Sequence, residues 1–148
     1  MVKTFSLKKD GDKFILKPDG SPTNFRVREF KCKDGSDTIL IDVDFVVHYL
    51  QKIREFWGQP VIIVSAYRTE MYNKKIGGAT NSYHIKGMAY DIKVSGLHPK
   101  DVASLAEDFG IQGIIQYDTG FVHIDSRTTK YWAKNIKGKY VVVKSFYK

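Results

Sequence analysis

Residues 81–92 read NSYHIKGMAYDI, and the way this stretch folds sets the frame for everything around it. Its first half is polar and carries Gly87, as a loop does. Its second half runs into MAYDIKV, which reads as a strand. His84 and Asp91 stand seven residues apart, too far along one helical face to meet. The spacing suits a loop residue and a strand residue brought together by a turn, and Gly87 supplies that turn. Ala89 shares a strand face with Asp91 and leaves space beside its carboxylate.

Outward from this stretch the chain alternates between helix and strand signals. From about Asp42 to Trp57, apolar positions Val46, Tyr49, Leu50, Ile53, Phe56 and Trp57 recur at helical spacing, and Gly58 stops them. PVIIVSAY (60–67) reads as a buried strand and TEMYNKKIGG (69–78) as a short helix closed by glycine. HPKDVASLAEDFG (98–110) is a second clear helix, with Pro99 in its first turn and Gly110 after its end. Three strands follow in IQGIIQY, GFVHID and KYVVVKSFY. Near the start, KTFSLKKDGDKFILKPDG reads as a hairpin turning at Asp10-Gly11, and NFRVREFKC as an extended segment directing Phe25, Val27 and Phe30 inward. No βαβ unit repeats. The expected class is α+β: a mainly antiparallel sheet carrying two to three helices. Residues 1–20 are expected to form an N-terminal hairpin extension and 21–148 the principal domain.

Length and composition agree with this. The 148 residues are 43% hydrophobic and 14% aromatic, enough for one core without disulfides. Cys32 is the lone cysteine, so a bound metal would be held by histidine and carboxylate. No apolar run reaches membrane-spanning length, and the first residues lack the apolar core of a secretory signal. No membrane insertion is expected, and synthesis in the cytoplasm is. The net charge of +8 favours an anionic partner. It is spread along the chain and accompanied by no nucleic-acid recognition motif, so no nucleic-acid partner is expected.

The four histidines fall in different settings. His48 lies on the polar side of the first helix, and His98 precedes Pro99 at the start of the second. His84 sits in the glycine-bearing loop. His123 sits inside GFVHIDS, where strand periodicity puts it on the same face as Asp125. His84, Asp91 and His123 together offer two nitrogens and one oxygen, the ligand types of a catalytic zinc with one open position. By spacing alone, an ordinary loop and a satisfied core histidine remain the stronger alternative.

Three motifs in order change that balance. SYHIKGMAYD (82–91) resembles the SxHxxGxAxD signature of the zinc D-alanyl-D-alanine carboxypeptidases. FVHID (121–125) resembles that family's second histidine strand, and SAYRT (65–69), followed by Asn73 and GGA, its arginine-bearing segment. The similarity runs from about Phe25 to Trp132, and the wider group includes peptidoglycan endopeptidases, many of them phage lysins.

The resemblance implies one zinc ion per chain held by His84, Asp91 and His123 on the open sheet face, with a metal-activated water as nucleophile. Arg68 would hold a substrate carboxylate or carbonyl with its planar fork. Ser82 would steady the loop and contribute to substrate binding, and Asp125 would orient the His123 ring. Several relatives carry an acidic general base three residues before the second histidine. Gly120 stands there instead, and Asp118 is the nearest acidic candidate. The implied activity is hydrolysis of D-alanine-containing bonds in peptidoglycan stem peptides, as carboxypeptidase or endopeptidase. The expected chain is a monomer that acts on the cell wall once released, as in phage lysis, with anionic wall polymers as further partners. The alternative is a zinc-bearing module that binds wall peptides without cleaving them.

Overall fold

The computed structural model of the protein describes residues 1–147. Its centre is a six-stranded sheet in the order β10-β9-β7-β8-β6-β5. The strands are β5 (Val61–Ser65), β6 (Ala89–Val94), β7 (Gly113–Tyr117), β8 (Val122–Asp125), β9 (Tyr131–Ile136) and β10 (Lys139–Val142). All neighbours pair antiparallel except β7 and β9, which run parallel. The fold is α+β, as expected, with a sheet that is mainly antiparallel. β9 has no counterpart in the sequence reading, because YWAKNI mixes polar and apolar residues without a clean alternation.

Strand alternation divides the sheet into two chemically different faces. Tyr90, Ile92, Val94, Val122 and Ile124 belong to the core. Asp91, His123 and Asp125 occupy the alternate positions. Helix α5 (Pro99–Asp108) buries Val102, Ala103 and Ala106 and packs across β6, β7 and β8. Pro99 opens it and Gly110 follows in a left-handed conformation.

The long helical run covers 43–57 and has three parts: α2 (Val43–Phe45), a π-helical turn (Val46–Leu50) and α3 (Gln51–Trp57). The Asp42 side chain caps its start by accepting from the Phe45 N–H. Val46, Leu50 and Ile53 are fully buried, whereas Phe56 and Trp57 lie 69% and 39% exposed and so leave the predicted stripe. Tyr90 joins this helix to the sheet: its ring stacks on Phe45 at 5.3 Å and meets Phe30 edge-on at 5.5 Å. Its hydroxyl accepts from the Asp42 N–H at 3.2 Å.

The N-terminal hairpin is corrected by the structure. β1 (Val2–Ser6) pairs with β4 (Thr38–Asp42), and β2 (Phe14–Leu16) pairs with β3 (Pro22–Arg26). Between β1 and β2 lies a single helical turn, α1 (Leu7–Asp10). The reason is local. Asp10 accepts from the Ser6 N–H, Ser6 Oγ accepts from the Lys9 N–H, and Gly11 takes φ −53°, in the right-handed region rather than that of a primed hairpin turn. Ile15 from this segment is buried in the shared core. NFRVREFKC also departs from expectation: β3 stops at Arg26, and Val27–Phe30 form a 3-10 turn that still buries Val27 and Phe30. β5 is an edge strand, with Ile62 half exposed, rather than a fully buried one.

Candidate metal centre

His84, Asp91 and His123 come together although 39 residues of chain separate the first from the last. Strand register does part of this: Asp91 on β6 lies directly across from His123 on β8. His84 arrives from the loop before β6. There its backbone N–H donates to Ser82 Oγ at 3.1 Å, and Gly87 turns the chain with φ +71°. A side chain at Gly87 would meet Leu40 at 2.6 Å, so the loop rests directly on β4. The Ser82 hydroxyl thus ties the loop by accepting from the His84 backbone.

The three side chains are buried, with potential ligand atoms within 4.8 Å of one another. Asp91 Oδ1 lies 3.2 Å from His84 Nε2 and 3.0 Å from His123 Nδ1. The outer nitrogen of each ring is already engaged: His84 Nδ1 with the Ala66 carbonyl at 2.6 Å, and His123 Nε2 with Asp125 Oδ2 at 2.7 Å. Both of those partners accept. In its neutral form each ring carries its proton on the outer nitrogen and turns its lone pair toward Asp91, whereas an imidazolium there donates to Asp91 instead. Two lone pairs and a carboxylate oxygen facing one another repel unless a cation or extra protons lie between them. The set of two imidazoles and one carboxylate fits a zinc-type ion.

Electrostatics around the centre follow the same logic. Burial disfavours an imidazolium at His123, but hydrogen bonds to Asp125 and Asp91 outweigh it and push the pKa up to about 9. Burial also opposes ionisation of Asp91, yet His123 and His84 hold its carboxyl well below the usual range.

Asp125 is fully buried and held from its far side by Arg127, whose Nε and Nη2 reach it at 2.7 and 2.6 Å. The Arg127 guanidinium lies over the rings of Tyr83 and Tyr131. Gly113, paired with Asp125 across β7 and β8, makes the space: a Cβ there would fall 1.9 Å from Asp125 Oδ1. Sequence reading missed Arg127 and Gly113. Arg127 follows Asp125 by only two residues in a stretch with no motif, and the glycine's role depends on a register that sequence alone does not carry.

Arg68, just beyond β5, is drawn into the site. Its Nη2 lies 3.4 Å from Asp91 Oδ2, Nη1 donates to Asn73 Oδ1 at 3.2 Å and Nε to Ser65 Oγ at 3.3 Å. Asn73 in turn donates to the Ala79 carbonyl at 2.8 Å. Asp118 is not brought in. It occupies the turn after β7, and its carboxylate accepts from the Lys137 N–H at 2.9 Å, closing the β9–β10 turn where Lys137 takes φ +51°. The general-base position expected for Asp118 is therefore not supported by the geometry: its carboxylate completes a turn and is absent from the cleft lining.

That cleft, of about 430 Å³, is lined by the three clustered residues together with Arg68, Ser82, Tyr83, Tyr117, Phe121, Arg127 and Tyr140, among others. Asp91 is its only lining carboxylate among the described residues.

The family model for peptidase M15 matches residues 22–125, a span that contains every clustered residue. The chain belongs to the peptidase M15 family. Among curated proteins, this M15 chain is 34% identical over 76 residues to the probable peptidoglycan L,D-endopeptidase MepK of Haemophilus influenzae, covering 47% of this chain and 41% of that protein. It is 31% identical over 80 residues to the peptidoglycan L,D-endopeptidase MepK of Escherichia coli K12, covering 50% of this chain and 44% of that protein. The M15 chain thus spans less than half the length of the curated relatives it matches. β9, β10 and the first three secondary-structure elements lie outside or at the margin of the family match.

Proposed function

We propose that the protein is a zinc-dependent peptidase acting on peptidoglycan stem peptides, with bonds that contain D-amino acids, D-alanine among them, as its substrates. The observation that carries this is the buried cluster in which His84 Nε2 and His123 Nδ1 lie 3.2 and 3.0 Å from Asp91 Oδ1, each ring held by a partner on its other nitrogen. His84, Asp91 and His123 would hold one zinc ion per chain, which when bound supplies Lewis acidity toward a water and a peptide carbonyl. The names of the curated relatives favour an internal peptide bond over a terminal one.

The chain's own residues divide the remaining work. Arg68, held by Ser65 and Asn73, keeps its guanidinium at the edge of the cleft, where it is suited to a substrate carboxylate or carbonyl. Asp125 holds the proton on His123 Nε2, which fixes the ring's tautomer and orientation. Arg127 balances the Asp125 charge, so the buried carboxylate persists beside His123. The net charge of +8 favours approach to anionic wall polymers.

A second reading rests on one specific observation. Apart from Asp91, no carboxylate among the described residues lines the cleft, because Asp118 is spent on its turn. A protein with the metal ligands but no acidic base could bind wall peptides without cutting them. Mass spectrometry of purified peptidoglycan incubated with the protein, with zinc and with a chelator, separates the two. Zinc-dependent new products support the peptidase and identify the bond. Intact peptidoglycan, with one zinc bound per chain, supports the binding module and overturns the peptidase.

A further inference from the structure

One wall of the cleft is aromatic. Tyr117, at the end of β7, stacks on Phe121 with ring centroids 4.5 Å apart and planes 14° from parallel. Phe121 stands two residues before His123, so this aromatic pair is tied to the strand that carries the candidate ligand. Tyr140 reaches the same wall from β10, the outer strand of the sheet, with its hydroxyl 3.1 Å from that of Tyr117. Tyr140 lies beyond residue 125, where the family match ends, and it is 55% exposed, so core packing does not account for its being a tyrosine.

When two phenol hydroxyls pair, one donates to the other. One O–H hydrogen is left free to donate, and both oxygens retain accepting capacity. That combination complements a peptide group, which offers one carbonyl acceptor and one N–H donor. Elsewhere in the cleft Arg127 is committed to Asp125 and Ser82 to the His84 backbone, while Arg68 is assigned to a substrate carboxylate or carbonyl.

Resting on the peptidase reading, we propose that the Tyr117–Tyr140 hydroxyl pair is a substrate-positioning subsite that hydrogen-bonds a main-chain peptide group of the stem peptide. It makes β10, a strand outside the family match, part of the substrate-binding surface. Tyr140 is then a determinant of which stem peptide is accepted, and Tyr117 is its fixed support.

The test compares the parent with Tyr140→Phe and Tyr117→Phe, using cross-linked muropeptides purified from peptidoglycan. Cleavage is followed across substrate concentration, and binding of the same muropeptides by calorimetry. Tyr140→Phe keeps the ring and should raise KM, and weaken calorimetric affinity, by roughly 3- to 10-fold, the scale of one hydrogen bond. kcat, zinc content and melting temperature should stay at parent values, which loss of a purely structural contact would not predict. Tyr117→Phe should weaken binding in the same direction. A Tyr140→Phe variant with parent KM and parent affinity overturns the inference. A parent that binds muropeptides without cutting them overturns the peptidase reading alone, provided Tyr140→Phe still binds more weakly. A parent that neither binds nor cuts overturns both.

Discussion

Gly113 shows how a residue with no side chain can govern a charged one. Asp125 is wholly buried, and its carboxylate occupies the volume that a Cβ at 113 would fill. Gly113→Ala should therefore push Asp125 off both His123 and Arg127. We expect a loss of about 1–3 kcal/mol in denaturant unfolding, the usual cost of overpacking a full site. Zinc affinity should fall together with stability, by roughly 10- to 100-fold, as when an outer partner of a ligating histidine is lost. An unchanged zinc affinity would show that Asp125 does not orient the ring. Asp118 makes the opposite case. Its carboxylate closes the β9–β10 turn through the Lys137 N–H, so Asp118→Asn should leave kcat on muropeptides at the parent value. A fall of about 100-fold or more would return it to the role of general base.

At the scale of elements, the features that sequence reveals are those with strong local causes. The α5 helix has Pro99 to open it, an apolar stripe and Gly110 to end it, and the structure follows. β6 and β8 were legible because their β-branched and aromatic residues alternate with polar ones. The hairpin at Asp10-Gly11 was misread because one dipeptide supports two outcomes, and the winner depends on a partner far along the chain. Leu7 N–H donates to the Asp37 carbonyl, and the Asp37 carboxylate accepts from Lys8 N–H and Ser6 Oγ, so β1 is drawn to β4 instead of β2. These bonds give a pH prediction. The Lys8 N–H, and after it the Ser6 hydroxyl, hold the Asp37 carboxyl below its ordinary value of 3.8. A carboxylate depressed in the folded state stabilises above its unfolded value, and that contribution is lost as pH falls through the lower folded value. Asp37→Asn should thus melt below the parent at pH 6, with the gap closing as the pH drops under 3.8. A gap that stays constant through that window would exclude the carboxylate as its source.

For the whole molecule, a metal that binds only the folded chain is a stabiliser. Free zinc at a hundredfold excess over its dissociation constant should contribute about 2.7 kcal/mol, or roughly 5–10 °C in melting temperature for a domain of this size. Calorimetric scans with zinc and with a chelator measure this shift, and His84→Ala or Asp91→Asn should abolish it while remaining folded. Equal melting with and without zinc would remove the metal centre from consideration. The clustering of His84, Asp91 and His123 was legible in sequence because the motifs that carry them are short and ordered. The shell around it was not. Arg127, Gly113 and Tyr140 reach the cleft through strand register and sheet order, which emerge only when distant segments pair.

The three clustered residues also differ in what holds them. Asp91 and His123 stand on neighbouring interior strands, each hydrogen-bonded on both sides. His84 stands on a loop anchored by Ser82, Gly87 and the Ala66 carbonyl. Interior strands open only with the whole fold, whereas loops open on their own. Two of the candidate ligands thus form a fixed jaw and the third a latch, so the exchange with solution of an ion held there would be timed by the opening of the His84 loop.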